Sequence, residues 1–141
     1  MILYLDTSAL VKLYIEEEAS QAVAEHVELA VATATAYVSY VEARAAFARR
    51  RRAHTLSSTE LSRIVRELDH DWSSYTFVEI GERVVRHAGS LCERHALRGY
   101  DAVQLAAALD VRRAGGDVEF ACFDAHLNRA ARREGLRIPR L

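Results

Sequence analysis

Residues 1–10 read MILYLDTSAL, and this stretch decides the fold. Ile2, Leu3, Tyr4 and Leu5 form a continuous apolar run that Asp6 stops. Thr7-Ser8 then open a helical stretch, with Asp6 or Thr7 placed to cap its free N–H groups. An unbroken apolar run suits a strand buried on both faces, as in a parallel sheet covered by helices. The first strand of such a sheet usually lies near its centre, with its carboxyl end opening into a crevice. Asp6 is therefore expected on the floor of a cleft.

Outward from this stretch, the pattern alternates. Ala9, Leu10, Leu13 and Tyr14 give the first helix its stripe, a second helix is predicted over Ala19 to Leu29, and Leu29 to Ala34 reads as a strand. Ser39 stands three residues before Glu42, the capping-box spacing. The helix it opens, Tyr40 to about His54, shows Val41, Ala45 and Ala46 along one side. Another helix starts at Ser57-Ser58-Thr59-Glu60, Thr76 to Ile80 reads as a strand, and Gly81 precedes a long helix. Beyond Gly99, Tyr100-Asp101 lead into AVQLAAAL, apolar on nearly every side and hence a buried helix. Val118 to Phe123 is the next strand, Ala125 to Arg133 a helix, and Leu136 to Ile138 a short final strand. The expectation is an α/β fold with a mainly parallel central sheet of about five short strands flanked by helices. No linker, repeat or low-complexity segment interrupts it, so residues 1–141 read as a single domain.

Half of the residues are hydrophobic and 28% are charged, as in a folded globular protein rather than a disordered one. No apolar run approaches the ~18–20 residues of a membrane span. The N-terminus has no basic region before its apolar residues, unlike a signal peptide, so a cytoplasmic location is expected. Cys92 and Cys122 are isolated among apolar neighbours and lack C-x-x-C spacing, which leaves them as small buried hydrophobes. The formal net charge of −1 hides a segregation. Up to Ala43 the acids face Lys12 alone, whereas Arg44, Arg49, Arg50, Arg51, Arg52, Arg63 and Arg66 dominate the next stretch. Cations at a helix C-terminus are favourable on dipole grounds, which accounts for part of that cluster.

Four acids share a local signature. Asp6 and Asp124 each follow an apolar run and precede a helix, while Glu42 and Asp101 are placed in first turns of helices. Carboxyl ends of parallel strands and the N-termini of the following helices lie on one edge of an α/β sheet, so all four carboxylates can converge. Clustered carboxylates repel, and a hard divalent cation such as Mg²⁺ or Mn²⁺ resolves that repulsion with oxygen ligands. The alternative is that each acid caps its own helix.

LDTSAL at the start, SYVEARAAF around Glu42, RGYDAVQLAAAL around Asp101 and FDAHLNRAARREGL around Asp124 resemble a PIN domain. Within that family they most resemble VapC-type toxins of toxin–antitoxin pairs, over essentially the whole chain. The resemblance implies a metal-dependent endoribonuclease, held inactive by a VapB-type antitoxin and assembled as a homodimer. It carries Asp6, Glu42, Asp101 and Asp124 over as an acidic quartet. Asp6, Asp101 and Asp124 would hold Mg²⁺ or Mn²⁺ directly or through water, and Glu42 would orient or deprotonate the attacking water or bind a second ion. Ser8 and Asn128 match polar positions that help organise such sites. Arg44 and Arg49 to Arg52 are candidates to guide an RNA backbone toward the acids. Tyr40, Tyr100 and Trp72 are candidates either to stack a base or simply to pack.

Other readings are weaker. A haloacid-dehalogenase-like phosphatase needs a second aspartate where Ser8 stands, and a lysine farther along than Lys12, the only one in the chain. A receiver domain fails for the same missing lysine. No G-x-x-x-x-G-K-[ST] or G-x-G-x-x-G is present, against nucleotide-triphosphate and dinucleotide enzymes. A PIN nuclease of RNA processing, or an inactive PIN-like interaction module, remains as the alternative to a toxin.

Overall fold

A computed structural model describes residues 1–141. The strands are β1 (Ile2–Leu5), β2 (Ala32–Ala36), β3 (Thr76–Val78) and β4 (Val118–Ala121). The helices are α1 (Thr7–Val11), α2 (Ser20–Leu29), α3 (Val38–Arg52), α4 (Ser58–Trp72), α5 (Glu82–His95), α6 (Gly99–Arg113) and α7 (Ala125–Arg133). The four strands form one parallel sheet in the order β3-β2-β1-β4. The opening strand is thus internal, with Tyr4 level with Ala34 on one side and Phe120 on the other.

Side chains of a strand alternate between faces, and β1 divides the core accordingly. Tyr4 joins Val84, Leu91, Leu105, Phe120 and Leu127 under α5, α6 and α7. Leu3 and Leu5 join Leu10, Val23, Phe47, Ile64 and Leu68 under α1 to α4. Both faces are therefore covered, which explains why ILYL is apolar throughout rather than alternating. The AVQLAAAL helix is buried as expected, with Leu105 and Ala107 fully inaccessible.

Three local expectations are corrected. The final strand shrinks to a single parallel bridge, Glu119 with Arg137, in which Phe120 N–H donates to the Arg137 carbonyl at 2.8 Å. The next rung needs an N–H two residues on, and that residue is Pro139. Ser39 caps nothing: α3 already begins at Val38, and the Ser39 hydroxyl lies fully buried against Thr35 and Gln104. The capping box forms at Ser57 and Glu60 instead. The phase of α3 also differs, because Ala43 and Phe47 face the core while Val41 is 60% exposed. The bulkiest apolar side chain of the helix sets which face turns inward.

After β3 the chain crosses to the far side of β1 to place β4, so the strand order reverses between β1 and β4. Crevices for ligands open at such a point, outside the carboxyl ends of the strands. The Asp6 N–H spans it, donating to the Ala121 carbonyl at 3.1 Å.

Candidate active site

A cleft of about 490 Å³ opens at this switch point, and Asp6, Glu42, Asp101 and Asp124 all line it. Each arrives differently. Asp6 ends β1 and caps α1, its Oδ1 accepting from the Ala9 N–H at 3.1 Å and the Ser8 hydroxyl at 2.6 Å. Asp124 follows β4 and caps α7, accepting from the Leu127 N–H at 2.7 Å. Asp101 lies in the first turn of α6, beside Arg98 Nε at 3.2 Å. Glu42 sits in the second turn of α3 rather than the first, because that helix starts earlier than the sequence indicates.

Glu42 is held by a polar network inside an otherwise apolar layer. Its Oε1 accepts from the Thr7 hydroxyl at 3.0 Å and from Gln104 Nε2 at 2.9 Å. Gln104 is 2% exposed, and its Oε1 accepts from the Tyr4 hydroxyl at 2.7 Å. Its Nε2 also reaches Ser39 Oγ at 3.0 Å and Thr7 Oγ1 at 3.2 Å. Gln104 is not among the residues the sequence marks for the site, and Thr7 is marked there only as a possible helix cap. The available signal was one amide in an apolar helix, since a buried amide must find partners.

Burial pushes the Asp6 carboxyl up to about 6, despite the hydrogen bonds from Ser8, Cys122 and Ala9 that favour its charged form. The charge of Asp101 adds to the rise. Burial likewise raises the Tyr4 phenol, with the nearby negative charges of Asp6 and Glu42 contributing. Asp101 has Arg98, whereas Asp6, Glu42 and Asp124 form no ion pair.

Such a donor set suits a hard divalent cation: oxygen only, negatively charged and largely without cationic partners. No three of the acids are drawn together as a ready-made cage. Mg²⁺ usually keeps several waters and takes only one or two direct carboxylates.

Ser8 bridges the two halves of the floor. Its hydroxyl donates to Asp6 and accepts from the Phe123 N–H at 3.0 Å. Asn128 does not line the cleft; its Nδ2 donates to the Cys122 carbonyl at 2.9 Å, and its buried Oδ1 takes no protein partner. Asn128 thus holds the segment that leads from β4 to Asp124.

The arginine run divides. Arg49 lines the cleft, whereas Arg50 pairs with Glu17 and Arg51 borders a separate depression with His54 and Ser57. Arg44 turns to the Tyr40 hydroxyl at 2.7 Å, which in turn donates to Asp69. A helix sends successive residues in different directions, so consecutive arginines cannot share one target. The basic side chains on the cleft wall are Lys12, Arg49 and Arg98. The aromatic candidates shift as well. Tyr40 and Trp72 pack edge to face with ring centroids 5.1 Å apart, and Tyr100 stands outside the cleft. The aromatic ring on the cleft wall is Phe123.

The model of the PIN domain family matches residues 3–133. Ribonuclease VapC45 of Mycobacterium tuberculosis (strain CDC 1551 / Oshkosh) is 36% identical over 137 residues, covering 97% of this chain and 94% of the relative. Among solved structures, FitAcB from Neisseria gonorrhoeae superposes with a TM-score of 0.71 at 15% identity, covering 98% of this chain and 96% of the other. VapBC2 from Rickettsia felis, bound to a DNA fragment from their promoter, gives 0.67 at 14% identity, covering 99% and 98%.

Proposed function

Because the chain belongs to the PIN domain family, we propose that it is a metal-dependent endoribonuclease, the toxin of a VapBC-type toxin–antitoxin pair, acting through the acidic cleft. The observation that carries the reading is the meeting of Asp6, Glu42, Asp101 and Asp124 in one cleft at the strand-order switch. Relatives at 36% identity that are named ribonucleases support the activity. Structural neighbours that are VapBC proteins support an antitoxin partner. No helix is long and apolar enough to cross a membrane.

Asp6, Asp101 and Asp124 are the residues to hold Mg²⁺ or Mn²⁺, directly or through its waters. Such an ion supplies positive charge against phosphoryl oxygens and lowers the pKa of water. The chain's own part is positional. Thr7 and Gln104 hold one oxygen of Glu42, leaving Oε2 to accept a proton from the attacking water. Ser8 fixes the Asp6 carboxylate, and Asn128 steadies the approach to Asp124.

An RNA cleavage assay tests this directly. Cleavage is expected with Mg²⁺ or Mn²⁺ and should vanish with EDTA; cleavage that persists in EDTA would refute the metal-dependent mechanism.

The division of the arginines yields a second expectation. Arg49→Ala should weaken RNA binding and flatten the plot of log affinity against log salt by about 0.7, the share of one single-strand phosphate contact. Arg44→Ala should leave both unchanged, since its guanidinium is turned to Tyr40. Binding titrations across a salt series check both variants.

A further inference from the structure

We propose that Phe123 is the nucleobase platform of the cleft, stacking a base of single-stranded RNA beside the phosphodiester that is cut. The inference rests on the ribonuclease reading above. Three observations carry it.

First, Phe123 is the one aromatic side chain on the cleft wall and directly precedes Asp124. It is 37% exposed in a chain whose other phenylalanines are buried or partly buried. More than a third of this apolar residue is left open among carboxylates. A stacking partner would cover it.

Second, the ring is held in place. The Phe123 N–H donates to Ser8 Oγ, the same hydroxyl that bonds Asp6. The Lys12 ammonium lies 4.5 Å from the ring centroid. That ammonium also donates to Glu17 Oε1 at 3.0 Å and to the Glu18 carbonyl at 2.8 Å. Lys12 is thereby committed to the protein rather than left for a phosphate, and it fixes the ring from one side. A platform fixed beforehand loses little freedom when a base settles on it.

Third, apart from a bound ion and Arg49, the site's own side chains offer RNA little electrostatic grip. Five acids line the cleft against Lys12, Arg49 and Arg98, and of those bases Lys12 and Arg98 are paired with acids. Phosphate attraction by these side chains is correspondingly weak, whereas π-stacking does not depend on charge. Every base has a π face, so Phe123 would accept any of them, with purines favoured for their larger surface.

The test compares two competitor RNAs against cleavage of a fluorogenic RNA reporter by the full chain. One is a short 2′-O-methyl oligo(A), and the other is the same backbone without bases. Wild type should be inhibited ~10-fold or more better by oligo(A) than by the abasic strand. Phe123→Leu should abolish that preference while keeping its affinity for the abasic strand, and Phe123→Trp should retain the preference. An undiminished preference in Phe123→Leu overturns the platform and leaves the ribonuclease reading standing. A wild type that cuts no reporter with any divalent metal overturns the ribonuclease reading, and the platform falls with it. Should Phe123→Leu cut too slowly to assay, 2-aminopurine in a short RNA reads the same contact. Its fluorescence should be quenched on wild type and less so on the variant, and equal quenching refutes the platform.

Discussion

Asp6→Asn should lose RNA cleavage by at least ~10²–10³-fold, the scale for removing a charge aligned with the reacting centre, while making the metal-free protein more stable. Both effects come from one position. The Asp6 carboxylate is only 5% exposed and its pKa is pushed up to about 6 from an ordinary 3.8. At 1.36 kcal/mol per pH unit, the buried charge costs on the order of 3 kcal/mol at neutral pH. Asparagine keeps the shape and an acceptor for the Ala9 N–H without that cost. The sign follows from linkage. An acid whose folded pKa lies above its unfolded value destabilises the fold progressively as pH rises from about 4, and fully above about 6. In EDTA, wild type should therefore lose stability between pH 4 and pH 7 from this group, and Asp6→Asn should lose that component. Mg²⁺ or Mn²⁺ should raise the wild-type melting temperature at pH 7.5 and raise that of Asp6→Asn much less. Thermal melts across pH, with and without metal, read all of this. A variant that is less stable than wild type at pH 7.5 in EDTA would contradict the account of Asp6 as a strained, buried charge.

Gln104→Leu should be the second large effect, and its origin is opposite. Leucine suits an apolar helix, yet here it would strand the Tyr4 hydroxyl, which is completely buried and donates to Gln104 Oε1. It would also remove a donor from Glu42 and from Ser39. Each orphaned buried group costs about 1–3 kcal/mol, so a loss of roughly 2–4 kcal/mol is expected. Tyr4→Phe should recover part of it in the double variant, because the stranded hydroxyl is then gone. Cleavage should fall as well, by about 10–100-fold in kcat with little change in KM, since a loosened Glu42 misplaces the water rather than the RNA. Urea unfolding of the two single variants and the double, with steady-state cleavage, provides the check. Strict additivity of the two stability losses would mean that the network is not coupled as drawn.

The two variants separate the kinds of information in the chain. The alternation of ILYL, ACF and the helices between them, with the acids that terminate them, is written in adjacent residues. Asp6 and Asp124 are legible because each stops a strand, and strand ends of a parallel sheet share an edge. Asp101 is legible because a glycine break precedes it. Glu42 is less so: the Ser39 spacing that flagged it as a capping-box residue is fortuitous, and Ser39 is a buried partner of Thr35 and Gln104.

The amino-acid sequence by itself determined the parallel α/β class, the family and the identity of the four acids, because these depend on local periodicity and on residues next to one another. Only the tertiary structure decided that Arg49, not Arg44, faces the cleft, that Phe123 is its aromatic, and that Gln104 joins Tyr4 to Glu42. The places of Arg49 and Gln104 depend on the rotational phase of α3 and α6, set by packing between residues far apart in the chain, such as Tyr4 and Gln104, and that of Phe123 on its bond to the distant Ser8. A helix turned by a single residue would keep its composition and send Arg49 or Gln104 elsewhere.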